Sequence, residues 1–248
     1  MSIALQVALV MVTILVVLLV IGAPIGVAIG MSSAVSMICM IPADVSFATS
    51  AQRIFAGSNS FSLIAIPFFI LAGNIMNNGG IAQRLVNCAK VISGRMPGAL
   101  AQSNVVANML FGAISGSGAA AAAAMGGTIG PLEEKEGYDK NYSTAVNVAS
   151  APVGMLIPPS NTMIVYSSVA GSVSIAALFM AGYIPGLLWG GAVMILAGIM
   201  AKKRGYQAEQ RVPVKVALKT FWQAIPSLLL IVIVIGGILG GIFTATEG

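Results

Sequence analysis

Two apolar stretches of this chain cannot be read as uninterrupted helices, and they lie about thirty residues apart. Residues 111–127 read FGAISGSGAAAAAAMGG, and residues 147–161 read NVASAPVGMLIPPSN. Neither carries a charge, yet one holds a Gly/Ser cluster and the other a proline pair where a continuous helix is expected. In hydrocarbon an unpaired backbone N–H or C=O costs several kcal/mol, so a broken helix persists only where protein buries it or where it lines a cavity. Paired interruptions of this kind point to the binding site of a secondary transporter.

Composition places these breaks in a membrane. The chain is 58% hydrophobic and 8% charged, with a mean hydropathy of +0.97, which defines an all-α polytopic membrane protein in contact with lipid. Its net charge of +5 comes from residues between apolar runs. Topology accounts for them, and no nucleic-acid partner is implied. A serine-nucleophile reading of Gly116-Ser117-Gly118 fails because the chain has no histidine and no intramembrane lysine to act as base. Metal catalysis lacks ligands for the same reason, so no enzyme is expected. Cys39 and Cys88 are isolated and expected as small buried hydrophobes. The first apolar run has no basic leader and no clear cleavage site, so it is expected as a retained helix.

Apolar runs cover residues 3–22, 24–42, 61–76, 96–132, 141–201 and 220–246. The 141–201 run holds two helices dividing near 171–174, and residues 44–60 are polar enough for an interfacial connection. Lys202, Lys203, Arg204, Arg211, Lys215 and Lys219 face one acid, Glu209, which marks the 202–219 loop as cytoplasmic. Arg84, Lys90 and Arg95 mark a second cytoplasmic loop. Two helices between these loops preserve the side, so residues 96–132 must return to the side they left. The arm after the Gly/Ser cluster, residues 119–131, is about 20 Å long as a helix, short of a roughly 30 Å hydrocarbon core. A re-entrant hairpin with its tip at 115–118 satisfies both constraints. Residues 133–140 (EEKEGYDK) then lie at the cytoplasmic surface, and the N-terminus lies outside.

The breaks carry chemistry suited to ions. Ser115, Gly116, Ser117 and Gly118 offer adaptable backbone and two hydroxyls. Pro158 and Pro159 lack N–H donors and free carbonyls around residues 151–155, Gly154 among them. Ser150, Ser160, Asn147 and Asn161 add further oxygens. Helix N-termini exposed at the breaks suit a carboxylate. None of the seven acidic residues falls within an apolar run, whereas a proton-driven carrier usually needs an intramembrane acid or histidine. Neutral hard oxygens suit dehydrated Na⁺, so Na⁺ is the expected coupling ion and no other cofactor is expected. Elsewhere, Pro67 reads as a mid-helix kink, Asn74, Asn77 and Asn78 as helix caps, Tyr166 and Tyr183 as interfacial anchors, and Trp189 as packing.

Three stretches resemble one family in order: NSFSLIAIPFFILAGNIMNNGGIAQR, GAISGSGAAAAAAMGGTIGP followed by KEGYDK, and LIPPSN followed by SIAALFMAGYIPG. They are similar to the large, DctM-type membrane subunit of the tripartite ATP-independent periplasmic (TRAP) transporters. The resemblance implies an elevator-type ion-transporter fold with two inverted repeats, each bearing a re-entrant hairpin and a broken helix. It implies Na⁺-driven import of organic acid anions such as C4-dicarboxylates, sialic acids and other sugar or keto acids. The implied partners are a periplasmic solute-binding protein and a small membrane subunit, and the implied location is the bacterial inner membrane. Carried onto this chain, residues 115–118 form the first hairpin tip and residues 150–161 contain the first unwound segment. Together they supply one Na⁺ site and one wall of the substrate site.

The resemblance also implies a division into scaffold helices (1–95), a transport-side hairpin and broken helix (96–171), and a third part (172–248) whose end opens the second repeat. The family's second hairpin follows beyond that point, so the expectation is a truncated or split permease that does not transport alone. LIPPSN with its NVASAPVG lead-in looks closer to sialic-acid-type members. A non-transporting membrane scaffold is the competing reading.

Overall fold

The computed structural model describes residues 3–59, 61–171, 173–206, 208, 213–244 and 247, with side chains for all of these except 61, 62, 65, 69 and 76–78. They fall into two compact units, Met1–Ser60 and Phe61–Gly248. Among the described residues all regular structure is helical.

The first unit is three consecutive helices, α1 (Ile3–Val20), α2 (Ile25–Ile38) and α3 (Ala43–Ser58). The chain turns between α1 and α2 at Gly22, where φ is 86°, and Pro24 and Pro42 precede α2 and α3. α2 buries only Ala28, Ser32, Ala34 and Ser36, small residues that let its neighbour come close. The Ser46 hydroxyl of α3 donates to the Ala34 carbonyl at 2.7 Å. Residues 44–60, expected as a connection, are thus mostly a helix in their own right. Cys39 is exposed and Cys88 buried, so only the second behaves as the small buried hydrophobe expected of both.

The second unit opens with a 3₁₀ turn, Phe61–Ile64, and continues through α4 (Ala65–Asn78), α5 (Ile81–Ser93), α6 (Ala99–Ser115), α7 (Gly118–Thr128) and α8 (Gly130–Lys135). After these come α9 (Lys140–Ser150), α10 (Val153–Leu156), α11 (Asn161–Ala170), α12 (Ile175–Arg204) and α13 (Val214–Leu239). Pro67 falls in the first turn of α4, where its missing N–H has no helical acceptor to lose. It therefore marks a helix start, which corrects the expected mid-helix kink. The basic segment holding Arg84 and Lys90 is no loop either. α5 buries Ala82, Leu85, Val86, Ala89 and Ser93, a stripe at helical spacing that packs against α6 and α13.

α6 is the axis of this unit, with 14 of its 17 residues buried, and it packs against α5, α7, α9, α10 and α12. The core around it includes Leu85, Leu100, Val105, Phe111, Met125 and Ile129. α12 presents Gly182, Gly186 and Gly190 inward. A Cβ at Gly182 would lie 2.3 Å from the Leu156 carbonyl, so the broken helix rests directly on the α12 backbone.

The division expected near 171–174 is present, with Gly171 closing α11 at φ 69° and Ser174 capping α12. Lys202, Lys203 and Arg204 form the last turn of α12, and Lys215 and Lys219 lie on α13, so the basic connection is shorter than 202–219. Glu209 and Arg211 lie outside the described residues. α1, α12 and α13 are long and apolar enough to cross a membrane, and the pair 140–156 and 161–170, bent by 48°, makes a fourth if its two pieces form one span. α2 and α4, with 14 residues each, fall short of the roughly 20 residues a span requires.

Candidate functional site

The first interruption separates α6 from α7. α6 ends where Gly116 turns to φ 62°, a left-handed geometry that glycine adopts without steric strain. Ser117 is extended, with φ −134° and ψ 118°. Its hydroxyl caps α7 by accepting from the Ala120 N–H at 3.3 Å. The Ser115 hydroxyl donates to the Ser117 carbonyl at 3.3 Å. Glu133, beyond the end of α7, faces Asn104 near the start of α6. The two helices therefore fold back on each other, as a hairpin requires.

The second interruption separates α9–α10 from α11 by a 48° bend. Pro158–Pro159 is a cis peptide bond, and Ser160 is extended before α11. Pro159 cannot donate to the Met155 carbonyl, and the Ser160 hydroxyl takes that place. The same hydroxyl accepts from the Met163 N–H at 3.4 Å. The carbonyls of Ala151, Pro152 and Val153 accept from the N–H groups of Gly154, Met155 and Ile157. The expected cage of freed carbonyls over 151–155 is thus narrower than the proline pair suggests, because four of them already hold one donor each.

The two breaks touch. The Asn161 N–H donates to the Gly116 carbonyl at 3.3 Å. A Cβ at Gly116 would lie 3.1 Å from the Pro159 carbonyl oxygen, and one at Gly118 would lie 3.1 Å from the Ala151 carbonyl oxygen. The Asn161 Oδ1 is buried without a partner. α7 and α11 both begin at this junction, so two helix N-termini with their partial positive charge start side by side. A cavity of about 370 Å³ adjoins the first break, lined by Ser115, Ser117, Phe111, Gly73 and Asn74 among others. Asn74 therefore lines a cavity, where it was expected as a cap; the side chains of Asn77 and Asn78 are outside the described set.

Asn147 and Ser150 belong to a buried polar cluster centred on Asn108 of α6. The Asn108 Nδ2 lies 2.8 Å from the Ser150 Oγ and 3.0 Å from the Asn147 Oδ1, and the Asn147 amide donates to the Ala122 carbonyl at 2.8 Å. These bonds lock α9 to both arms of the hairpin. Gly154 packs against Gly112 of α6, with a Cβ on either within 2.4 Å of the other's Cα. Sequence reasoning missed Asn104, Asn108 and Gly112. Their spacing of four along α6, polar or small in a charge-free run, was the available signal. Trp189 also does more than pack, since its indole N–H donates to the Ala149 carbonyl at 2.9 Å.

The far end of α9 is stapled to the end of α12. The Asp139 carboxylate caps α9 by accepting from the Tyr142 N–H at 2.9 Å and pairs with Arg204 at 3.1 Å. Both interactions, the Tyr142 N–H foremost, hold the Asp139 carboxyl below its usual range. Tyr138 stacks on Tyr206 at 4.2 Å, and the Tyr206 hydroxyl accepts from the Asp139 N–H at 2.8 Å.

These features define an integral membrane protein built around two discontinuous helices that meet backbone to backbone. The chain belongs to the tripartite ATP-independent periplasmic transporter family, DctM component, whose model matches residues 12–248. It is similar to the uncharacterized protein YgiK of Salmonella typhimurium, 54% identical over 216 residues, which cover 87% of this chain and 50% of that protein. The isethionate TRAP transporter permease protein DctMQ of Oleidesulfovibrio alaskensis is 45% identical over 201 residues, covering 79% of this chain and 31% of that one. The sialic acid TRAP transporter large permease protein SiaM of Vibrio cholerae is 41% identical over 202 residues, covering 80% and 46%. The chain spans half or less of the length of these relatives. The family is one of transport permeases and not of enzymes.

Proposed function

We propose that this chain forms the first half of the large permease of a Na⁺-coupled TRAP transporter that imports organic acid anions across the bacterial inner membrane. The observation that carries this reading is the contact between the Asn161 N–H and the Gly116 carbonyl, which brings two helix breaks into one junction. The unpartnered Asn161 Oδ1, the serine hydroxyls at 115 and 117 and the remaining carbonyl lone pairs supply hard, neutral oxygen ligands for Na⁺. The N-termini of α7 and α11 face an anionic group. In this reading α6 and α7 form a re-entrant hairpin, and the pair moves with the broken helix in an elevator-type transport cycle. A mirror-related second half completes the cavity.

Relatives are named for isethionate, C4-dicarboxylate and sialic acid, all of them organic acid anions, and that shared chemistry is the substrate class proposed here. The partners are a periplasmic solute-binding protein, which delivers the anion, and a small membrane subunit. The fused naming of DctMQ supports a close association of permease subunits. Replacing Ser117 or Pro159 at the chromosomal locus tests the reading. Loss of Na⁺-dependent anion uptake at unchanged expression supports it, whereas loss of assembly alone would mark a scaffold.

A further inference from the structure

A second cavity, of about 390 Å³, opens at the base of the hairpin between α6, α8 and α9, away from the junction of the breaks. Its lining includes Asn104, Glu133, Ser143 and Asn147, with Glu134 and Lys140 at the exposed rim. Glu133 is 1% exposed, although it lies beyond the last residue of an apolar run. Its Oε1, the Asn104 Nδ2 and the Ser143 Oγ are all buried without a hydrogen-bond partner. Asn104 and Ser143 are close enough to favour the charged carboxyl, yet neither closes a bond of full geometry. Among the described residues no lysine or arginine reaches ion-pairing distance of Glu133. A buried carboxylate in this setting is costly unless it is neutralised.

We propose that this cavity is a binding site for one small monovalent cation, a proton or a dehydrated alkali ion, held by the Glu133 carboxylate with the Ser143 hydroxyl. The site differs in place and chemistry from the neutral oxygen ligands at the junction of the breaks, and it does not rest on the substrate reading. The cavity has room for the water that brings the ion in and that bridges to the Asn104 amide. Burial pushes the Glu133 carboxyl up to about 7, opposed by Ser143 and Asn104, so proton and alkali ion compete in the physiological range. The titratable groups facing it are Glu134 and Lys140 at the rim and Tyr138 and Tyr142 on the inner side. Binding ties the base of the hairpin (α6, α8) to the foot of the broken helix (α9).

The test is thermal unfolding of the full chain in detergent micelles, with NaCl or KCl replacing choline chloride at constant ionic strength, at about one pH unit on either side of 7. The wild-type midpoint should rise with alkali cation on the alkaline side and respond less on the acid side. A response to pH alone identifies the proton as the occupant. Glu133→Gln should abolish the pH response and the part of the cation response that changes with pH, and Ser143→Ala, which keeps the carboxylate, should weaken the apparent affinity of that part by about tenfold. The inference is overturned if wild type responds to neither cation nor pH, or if Glu133→Gln or Ser143→Ala keeps the full wild-type response. A cation response lost in Ser117→Ala but kept in Glu133→Gln would overturn this site alone and leave the proposed function standing.

Discussion

Gly112 of α6 and Gly154 of α10 cross with no room for a side chain: a Cβ on Gly112 would lie 2.2 Å from the Gly154 Cα. This crossing sets how closely the broken helix approaches the hairpin, and hence whether Asn161 reaches Gly116. Gly112→Ala should cost about 1–3 kcal/mol or more, as over-packing against rigid backbone does. A lowered unfolding midpoint together with lost Na⁺ response checks it; an unchanged midpoint contradicts the close crossing.

Ser160 serves two helix ends at once, accepting from the Met163 N–H and donating to the Met155 carbonyl. Ser160→Ala should cost about 1–2 kcal/mol. Hydrogen exchange should quicken at the first-turn amides of α11 and leave those of α12 unchanged.

Asn108 satisfies acceptors on Asn147 and Ser150 from the middle of a buried helix. Asn108→Leu strands the Asn147 Oδ1 and removes one bond of the Ser150 hydroxyl, which keeps its donation to the Val146 carbonyl, and should cost about 2–3 kcal/mol. In a double-mutant cycle with Ser150→Ala the two losses should fall short of additivity; strict additivity would contradict the contact.

For Glu133 the sign of the pH dependence follows from the shift. Its carboxyl moves from 4.5 to about 7 on folding, so the fold holds the proton more tightly than the unfolded chain does. The associated stability is present below about pH 4.5 and is lost as pH rises through about 7, on the order of 3 kcal/mol in all. In choline buffer the wild type should lose stability relative to Glu133→Gln across that window, and parallel curves would contradict the burial.

Much of the junction was legible in the chain. The Gly/Ser and Pro-Pro clusters mark both breaks to within a residue or two, because backbone that cannot continue a helix must be written in glycine and proline. The division at Gly171 was legible for the same reason. Charge counting alone reads α5 as a loop, because it ignores the apolar stripe that runs along the same helix as Arg84 and Lys90. Glu133 follows the apolar run and reads from sequence as a surface acid, yet it is buried, because burial depends on what folds over a residue and not on its neighbours in sequence. Tertiary pairings such as Asn108 with Ser150 leave no trace in local composition.

The central claim is that the paired breaks bind Na⁺ to drive anion uptake. Its most direct test is anion uptake in cells carrying the permease with its partner subunits, energised separately by a Na⁺ gradient and by a pH gradient. Uptake should follow the Na⁺ gradient and fall at least about tenfold in Ser117→Ala at equal expression. Uptake that follows the pH gradient and ignores Na⁺, or that survives Ser117→Ala unchanged, would contradict the account.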